Sequence, residues 1–404
     1  MDLAHSLDNE SAGEVIRCID MHTTGEPVRI VYAGFPALTG ETLLAQREQA
    51  LKQYDHLRRR ILLEPRGHYD MYGAIIRPST ELVESEEAHV GVLYAHNGGF
   101  GTMCGHATLA LGRFLVDTQD PAVFPKRHEL AVDPASGTVM VNLHAPCGIV
   151  RVTVPVVITA KGEKSDPSRP VSFLSPPAYA TATQLPVSIP PELRWSQLGD
   201  RDAITIGVSY GGTYFAIVDV RELGLEQGLK EVDLDLVAPV LQTLKAYLNT
   251  HPDFLAACQH PPDKPLPYPY AVMVVDSGVG VRPDDVEGTE AGLCFFADNQ
   301  IDRSPTGSCV VARMALAYAK GERRRGQRWA YNSLVSNHFG TGAFVGGIVE
   351  TGVQQAAIMS GREAVVVRVE GGAYYTGTSS FIVEAGDSTS HSGFSMKSVM
   401  TSSN

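Results

Sequence analysis

The segment Gly101-Thr-Met-Cys104-Gly-His106-Ala-Thr-Leu-Ala-Leu-Gly-Arg-Phe-Leu115 opens as a polar, glycine-bearing turn and continues as a helix apolar on nearly every face. Asp302-Arg-Ser-Pro-Thr306-Gly-Ser308-Cys-Val-Val-Ala-Arg-Met-Ala-Leu-Ala-Tyr-Ala-Lys320 repeats that design. A helix without a polar face is stable only where it is buried all round. Aligned on their turns, Cys104-Gly105-His106-Ala107 falls on Thr306-Gly307-Ser308-Cys309. The chain therefore reads as two halves of related design, each winding sheet around one central helix.

Working outward, short β-branched or aromatic runs bounded by glycine, proline or aspartate predict strands. They fall at Val28 to Tyr32, Gly91 to Tyr94, Val139 to Leu143, Val150 to Val157, Tyr214 to Val220, Ala271 to Val275 and Ala364 to Val369. Leu43 to Arg60 and Leu234 to Thr250 have helical periodicity. The polar, proline-rich run Lys161-Gly-Glu-Lys-Ser-Asp-Pro-Ser-Arg-Pro170 marks a boundary. The expected organisation is a flexible leader (1–13), a first half (14–158 plus about 371–386), a second half (159–370) and a flexible serine-rich tail (387–404).

At 404 residues, two domains are the natural prior. With 44% hydrophobic and 19% charged residues, the composition is that of a globular protein rather than a disordered one. No apolar run approaches the roughly 18 residues that span a bilayer. The polar, acidic start lacks the apolar core of a secretory signal, so a cytoplasmic location is expected. A net charge of −12 argues against nucleic acid and membrane surfaces as partners. The six cysteines form no CxxC pair, which disfavours a disulfide framework. The Cys104–His106 spacing is poor for zinc, and no metal is expected.

A cysteine at a helix start has particular chemistry. The unpaired amides and the positive end of the dipole favour the thiolate, which then serves as base or nucleophile near neutral pH. Two such starts facing each other would form a carboxylate site made of amides, with side chains 104 and 306 beside the adjacent carbon. Against this stand plainer readings: a cysteine entering an apolar helix is most often core packing, and a threonine before glycine is most often an N-cap.

At these residues the chain resembles the proline racemase family, which shares the diaminopimelate epimerase fold. The resemblance covers about Arg17 to Ala385. It rests on Asp20-Met-His-Thr-Thr-Gly-Glu-Pro27, Pro65-Arg-Gly-His-Tyr-Asp-Met-Tyr-Gly73, Met103-Cys-Gly-His106, Ser209-Tyr-Gly-Gly-Thr-Tyr-Phe-Ala-Ile-Val-Asp219 and Asp302-Arg-Ser-Pro305. It implies an α+β fold of two pseudo-symmetric domains, each an antiparallel sheet wrapped around a central helix. It also implies a small-molecule substrate, no cofactor and a homodimer. No lysine lies in a recognisable Schiff-base context, and the glycine clusters lack the dinucleotide pattern.

Racemases of this family carry a cysteine at both helix starts; here the second is Thr306. The cysteine-plus-threonine pattern is similar to that of family members that dehydrate trans-3-hydroxy-L-proline to Δ1-pyrroline-2-carboxylate. The resemblance implies catalytic roles for Cys104 and Thr306. It implies contact with the ring nitrogen and its surroundings for His106 and Asp302, and carboxylate-holding amides at Gly105, Gly307 and Ser308. Phe296 and Tyr72 would enclose the ring. His22, His68 and Asp70 read as structural. Cys309 is a conceivable second thiol one turn into its helix. Two other readings remain open: a proline racemase or 4-hydroxyproline epimerase, and a non-catalytic amino-acid binder.

Overall fold

The structure, a computed structural model, describes residues 15–160, 162–258, 271–353, 363–384, 386–389 and 391–401. The leader expected at residues 1–13 lies outside them. Two compact units divide the chain: Ser172–Gly371 forms one, and the segments on either side of it form the other.

In the first unit the central strands are β1 (Ile16–Thr23), β2 (Glu26–Ala33), β3 (Gly73–Arg77), β4 (Val90–His96), β5 (Thr138–Ala145) and β6 (Gly148–Thr159). The pairs β1–β2, β3–β4 and β5–β6 are antiparallel, whereas β2–β3 and β4–β5 are parallel. The second unit uses β7 (Ala203–Tyr210), β8 (Tyr214–Asp219), β9 (Ala271–Ser277), β10 (Gly288–Phe296), β11 (Arg328–Asn332) and β12 (Phe344–Val353). Its pairings alternate in the same order: antiparallel, parallel, antiparallel, parallel, antiparallel. β4 and β10 each fold back on a short strand, Gly99–Gly101 and Gln300–Ile301. Each of those strands leads into the long central helix. The repeat thus extends from two glycine turns to the order and sense of every central pairing.

The sheets are mostly antiparallel, with two parallel pairs in each unit. Strand periodicity reveals which face is buried but not the direction of a neighbour. Parallel neighbours need a long crossover. Helix Leu43–Leu62 lies in the connection from β2 to β3, and helix Leu234–Leu248 in that from β8 to β9.

The two central helices, Gly105–Asp117 and Gly307–Ala319, are buried as their composition requires. Gly105 through Val116 and Gly307 through Leu316 are all shielded from solvent. Glycine sets how closely strand and helix approach. A Cβ on Gly112 would stand 2.4 Å from Val152 Cγ1, and one on Gly211 would stand 2.3 Å from the Ser308 carbonyl oxygen. Each helix also buries one arginine, at the cost of satisfying a charged group in the core. Arg113 Nε donates to Ser165 Oγ at 2.9 Å, and its guanidinium stacks on Tyr375. Arg313 Nε pairs with Glu290 Oε1 at 2.6 Å and stacks on Tyr331.

The serine-rich end departs from its sequence-based expectation. Glu64 and Phe394 exchange backbone hydrogen bonds of 3.0 Å in both directions. Arg60 Nε donates to the His391 carbonyl at 2.6 Å, Ser395 is buried, and Met396–Thr401 is helical. Composition predicts too little apolar surface for order here. Order comes instead from arginines of helix Leu43–Leu62, which supply donors to the tail's carbonyls. Among the described residues, no helix is long and apolar enough to cross a membrane.

Candidate active site

In the first unit, β4 and its short partner strand deliver the chain to Cys104, the residue that caps helix Gly105–Asp117 with extended backbone (φ −147°, ψ 115°). The carbonyl of Cys104 accepts from both the amide and the hydroxyl of Thr108, at 3.1 and 2.7 Å. With its own proton on that carbonyl, Thr108 Oγ1 accepts from the Tyr94 hydroxyl at 2.6 Å. Thr23 Oγ1 donates to the His106 carbonyl at 3.2 Å. The helix start is therefore anchored from two strands. The thiol is buried, and it makes no hydrogen bond capping the helix amides.

Cys104 Sγ lies 3.1 Å from Nδ1 of His106. Burial pushes the His106 imidazole down to about 3, a drop only partly offset by its hydrogen bond to the Pro27 carbonyl. The ring is thus neutral at any ordinary pH and has a single N–H. If that N–H is spent on Pro27, the other nitrogen is an acceptor, and the thiol is the donor in the contact with Cys104. A neutral ring forms no ion pair with a thiolate. Stabilisation of that charge falls to the amides of the helix start.

Tyr72 packs its ring against His106, edge to face, with centroids 4.8 Å apart. His96 lies on it at 6.0 Å. The Tyr72 carbonyl accepts from the Arg29 amide at 2.8 Å. Three residues read as structural make local contacts. His22 Nδ1 accepts from the Gly25 amide and stacks on Tyr374. His68 Nδ1 accepts from the Asp70 amide at 3.2 Å.

In the second unit, β10 ends at Phe296, which is buried and pairs with Gln300 across a tight turn. Ala297 and Asn299 in that turn have φ of 46° and 57°. Asp302 follows. Its Oδ1 accepts from the Ser304 amide at 2.7 Å, and Ser304 Oγ accepts from the Thr306 amide at 3.1 Å. Burial raises the Asp302 carboxyl to about 6 against the moderating pull of its Ser304 and Thr306 neighbours. It is therefore mostly ionised at neutral pH.

Thr306 caps helix Gly307–Ala319 in the left-handed region (φ 62°, ψ 82°), and its side chain caps nothing. For a β-branched residue this is a strained conformation, of a kind that clusters at functional sites. The plain N-cap reading of Thr306 therefore fails on geometry. Its buried hydroxyl makes no hydrogen bond of normal geometry among the described residues, although it lies close enough to the Asp302 carboxyl and the Cys294 thiol to favour their ionised forms. The carboxyl is the adjacent base that the sequence did not reveal. A carboxylate of that basicity does not deprotonate an alcohol, so Thr306 does not substitute for a thiol.

Gly307, Ser308 and Cys309 are all buried. Burial pushes the Cys309 thiol far above its ordinary range, which removes it as a second base. Cys18 and Cys258 are likewise pushed up to about 12 by burial. Among the described residues no cluster of three histidine, cysteine, aspartate or glutamate side chains is arranged to hold a metal.

Sequence reasoning missed the buttress formed by Tyr94, Thr108 and Thr23, and the place of His96 against Tyr72. The hydroxyl of a tyrosine within an apolar strand carries no periodic signal. Its partner, 14 residues on, becomes visible only once the hairpin has folded.

The sequence profile of the proline racemase family matches residues 18–395. A human protein named trans-3-hydroxy-L-proline dehydratase is 38% identical over 377 residues, covering 92% of each chain. A Bacillus cereus protein of the same name is 29% identical over 374 residues, covering 93% of this chain and 96% of the relative. Among solved structures, a hydroxyproline epimerase from Agrobacterium vitis with bound trans-4-hydroxy-L-proline superposes with a TM-score of 0.73 at 19% identity, over 96% of each chain. A probable proline racemase from Agrobacterium radiobacter gives 0.72 at 20% identity, over 95% of this chain and 97% of the other. At such identities the two structures speak for the fold alone.

Proposed function

The chain belongs to the proline racemase family, and from that premise we propose that it is a trans-3-hydroxy-L-proline dehydratase, a cofactor-independent hydro-lyase with Cys104 as its base. The observation that carries the reading is the asymmetry of the two helix starts. One presents a thiol beside a neutral imidazole; the other presents a strained threonine, with its nearest cysteine wholly buried. Inversion at carbon needs a competent acid or base on each face, whereas one thiol suffices for loss of water.

Stereochemistry supports the one-thiol route. In the trans isomer the carboxylate and the 3-hydroxyl lie on opposite faces, so the α-proton shares a face with the hydroxyl. The Cys104 thiolate takes that proton, and the C–H electron pair becomes the C2–C3 double bond as the C3–O bond breaks. The thiol then protonates the departing hydroxide, which leaves as water and restores the thiolate. The enamine tautomerises to Δ1-pyrroline-2-carboxylate. Because the α-proton is weakly acidic, the site must stabilise developing charge electrostatically.

We assign Gly105, Gly307 and Ser308 amides to the carboxylate, and His106 and Asp302 to the ring nitrogen and its surroundings. An ionised Asp302 complements a protonated ring nitrogen, whose charge would draw the carboxyl back toward its ordinary range. Tyr72 and Phe296 enclose the apolar ring edge. Thr306 occupies the second cysteine's place without its basicity.

The test is incubation with a panel of trans-3-hydroxy-L-proline, trans-4-hydroxy-L-proline, cis-4-hydroxy-L-proline and L-proline. The pyrroline product is expected from the first alone. Inversion of a 4-hydroxyproline or of proline, with no pyrroline formed, would establish the epimerase reading instead. Binding without turnover would make the protein a non-catalytic binder.

A further inference from the structure

The ordered tail makes a set of contacts that the proposed reaction does not use. It crosses the end of helix Leu43–Leu62 at Gly393, whose left-handed backbone (φ 65°) leaves a hypothetical Cβ 2.4 Å from the Arg59 carbonyl oxygen. Only glycine passes so close to that helix. Arg59 Nη2 donates to the Gly393 carbonyl at 3.3 Å, Arg60 Nε donates to that of His391, and Phe394 pairs with Glu64. Beyond this crossing, Lys397 Nζ donates to the Tyr69 hydroxyl at 2.9 Å and stands 4.9 Å from the ring centre. The tail therefore holds residues 64–72 at two points: Glu64 by backbone pairing and Tyr69 by a cation.

That gripped loop carries Tyr72, the side chain that packs on His106. Between Tyr69 and Tyr72 there is little slack. The Met71 amide donates to the His68 carbonyl at 3.0 Å, and the Tyr72 carbonyl is held by the Arg29 amide. Arg29 Nη1 also binds the Arg66 carbonyl at 2.8 Å. The contacts run without a break from Lys397 through Tyr69, the loop and Tyr72 to His106, whose Nδ1 lies 3.1 Å from the Cys104 sulfur.

We propose that residues 391–401 form a clamp on loop 64–72, and that Lys397 and Tyr69 are positioning residues that hold Tyr72 against His106 and so fix the setting of the Cys104 thiol. The clamp reaches the proposed substrate contacts Tyr72 and His106 through the loop. Its effect passes through the orientation of the imidazole beside the sulfur, where a misplacement of about 1 Å costs on the order of a hundredfold in rate. The inference rests on Cys104 being the reacting group, but its test does not require turnover.

Lys397→Ala, Lys397→Arg and Gly393→Ala are made in the full chain. Alkylation of Cys104 by iodoacetamide is followed by peptide mass spectrometry from pH 6 to 10, alongside kcat, KM and the thermal midpoint. Expected for Lys397→Ala is a displaced pH profile of Cys104 alkylation and a drop in kcat of about tenfold, with the midpoint unchanged and Lys397→Arg restoring both. Gly393→Ala, which unseats the tail at a different point, is expected to displace the profile in the same direction. Wild-type alkylation profiles in both Lys397→Ala and Gly393→Ala would overturn the clamp, whatever happens to stability. Absence of dehydration in the wild type would overturn the proposed reaction and leave the alkylation result to decide the clamp.

Discussion

The sulfur of Cys104 and Nδ1 of His106 stand 3.1 Å apart, two residues from each other at one helix start, and the imidazole is one that burial keeps neutral. This separates the site from thiol–imidazolium pairs, in which the ring's positive charge stabilises the thiolate. Here a neutral ring stands beside the sulfur and brings no imidazolium charge to it.

Burying His106 as a neutral ring has a cost in acid. Its folded value of about 3 lies below the ordinary 6.5, so between those values the unfolded chain holds a proton that the folded protein does not. Stability from this source is complete above about pH 6.5 and is lost as pH falls toward 3. A displacement of that size amounts to about 5 kcal/mol. His106→Gln is expected to narrow the gap between stabilities at neutral and acid pH, read by urea denaturation. An unchanged gap would mean that acid lability originates elsewhere.

Asp302 acts in the opposite sense. Its folded value of about 6 lies above the ordinary 3.8, so in that window the folded protein holds the extra proton and stability falls as pH rises. The full penalty, about 3 kcal/mol, applies above about pH 6. Asp302→Asn, which keeps the acceptor for the Ser304 amide, is expected to be more stable than wild type at neutral pH. The two should converge below about pH 4. Turnover should fall, because the carboxylate proposed near the ring nitrogen is gone.

Thr306 is strained at φ 62°, a conformation costing on the order of 1–3 kcal/mol for such a residue. Asparagine adopts it more readily. Thr306→Asn is expected to stabilise by about 1 kcal/mol in denaturant melts. Thr306→Cys should give the second helix start a thiol and confer exchange of the α-proton of L-proline with inversion. A destabilised Thr306→Asn would mean that the hydroxyl holds the turn.

Gly211 approaches the Ser308 carbonyl so closely that a Cβ would stand 2.3 Å from it. The neighbour is backbone and cannot swing away. Gly211→Ala is expected to destabilise by about 1–3 kcal/mol and to disturb the start of helix Gly307–Ala319. A melting curve matching wild type would show that the turn relaxes freely.

The halves were legible because each central helix is apolar all round and begins on a matching glycine turn, a pattern that survives where overall identity between repeats does not. Cys104 and Thr306 stood out as the residues at the starts of those apolar helices, whereas His106 and Asp302 entered the reading only through the family resemblance. What stayed hidden depends on distant pairing. The parallel pairs β2–β3 and β4–β5 follow from crossovers that periodicity does not encode. The carboxyl beside Thr306 is four residues away in sequence, and its closeness comes from the turn through Ser304. The tail's order depends on Arg59 and Arg60, over 300 residues earlier, finding carbonyls that composition marks as solvated.

The central claim is that one thiol, Cys104, removes the α-proton and assists departure of the hydroxyl. Its most direct test follows pyrroline formation from trans-3-hydroxy-L-proline by Cys104→Ser, with α-proton exchange monitored in D2O and folding checked by circular dichroism. The account predicts a folded variant whose dehydration falls by about a thousandfold or more, with α-proton exchange lost in parallel. Dehydration at the wild-type rate by a folded Cys104→Ser protein would contradict it.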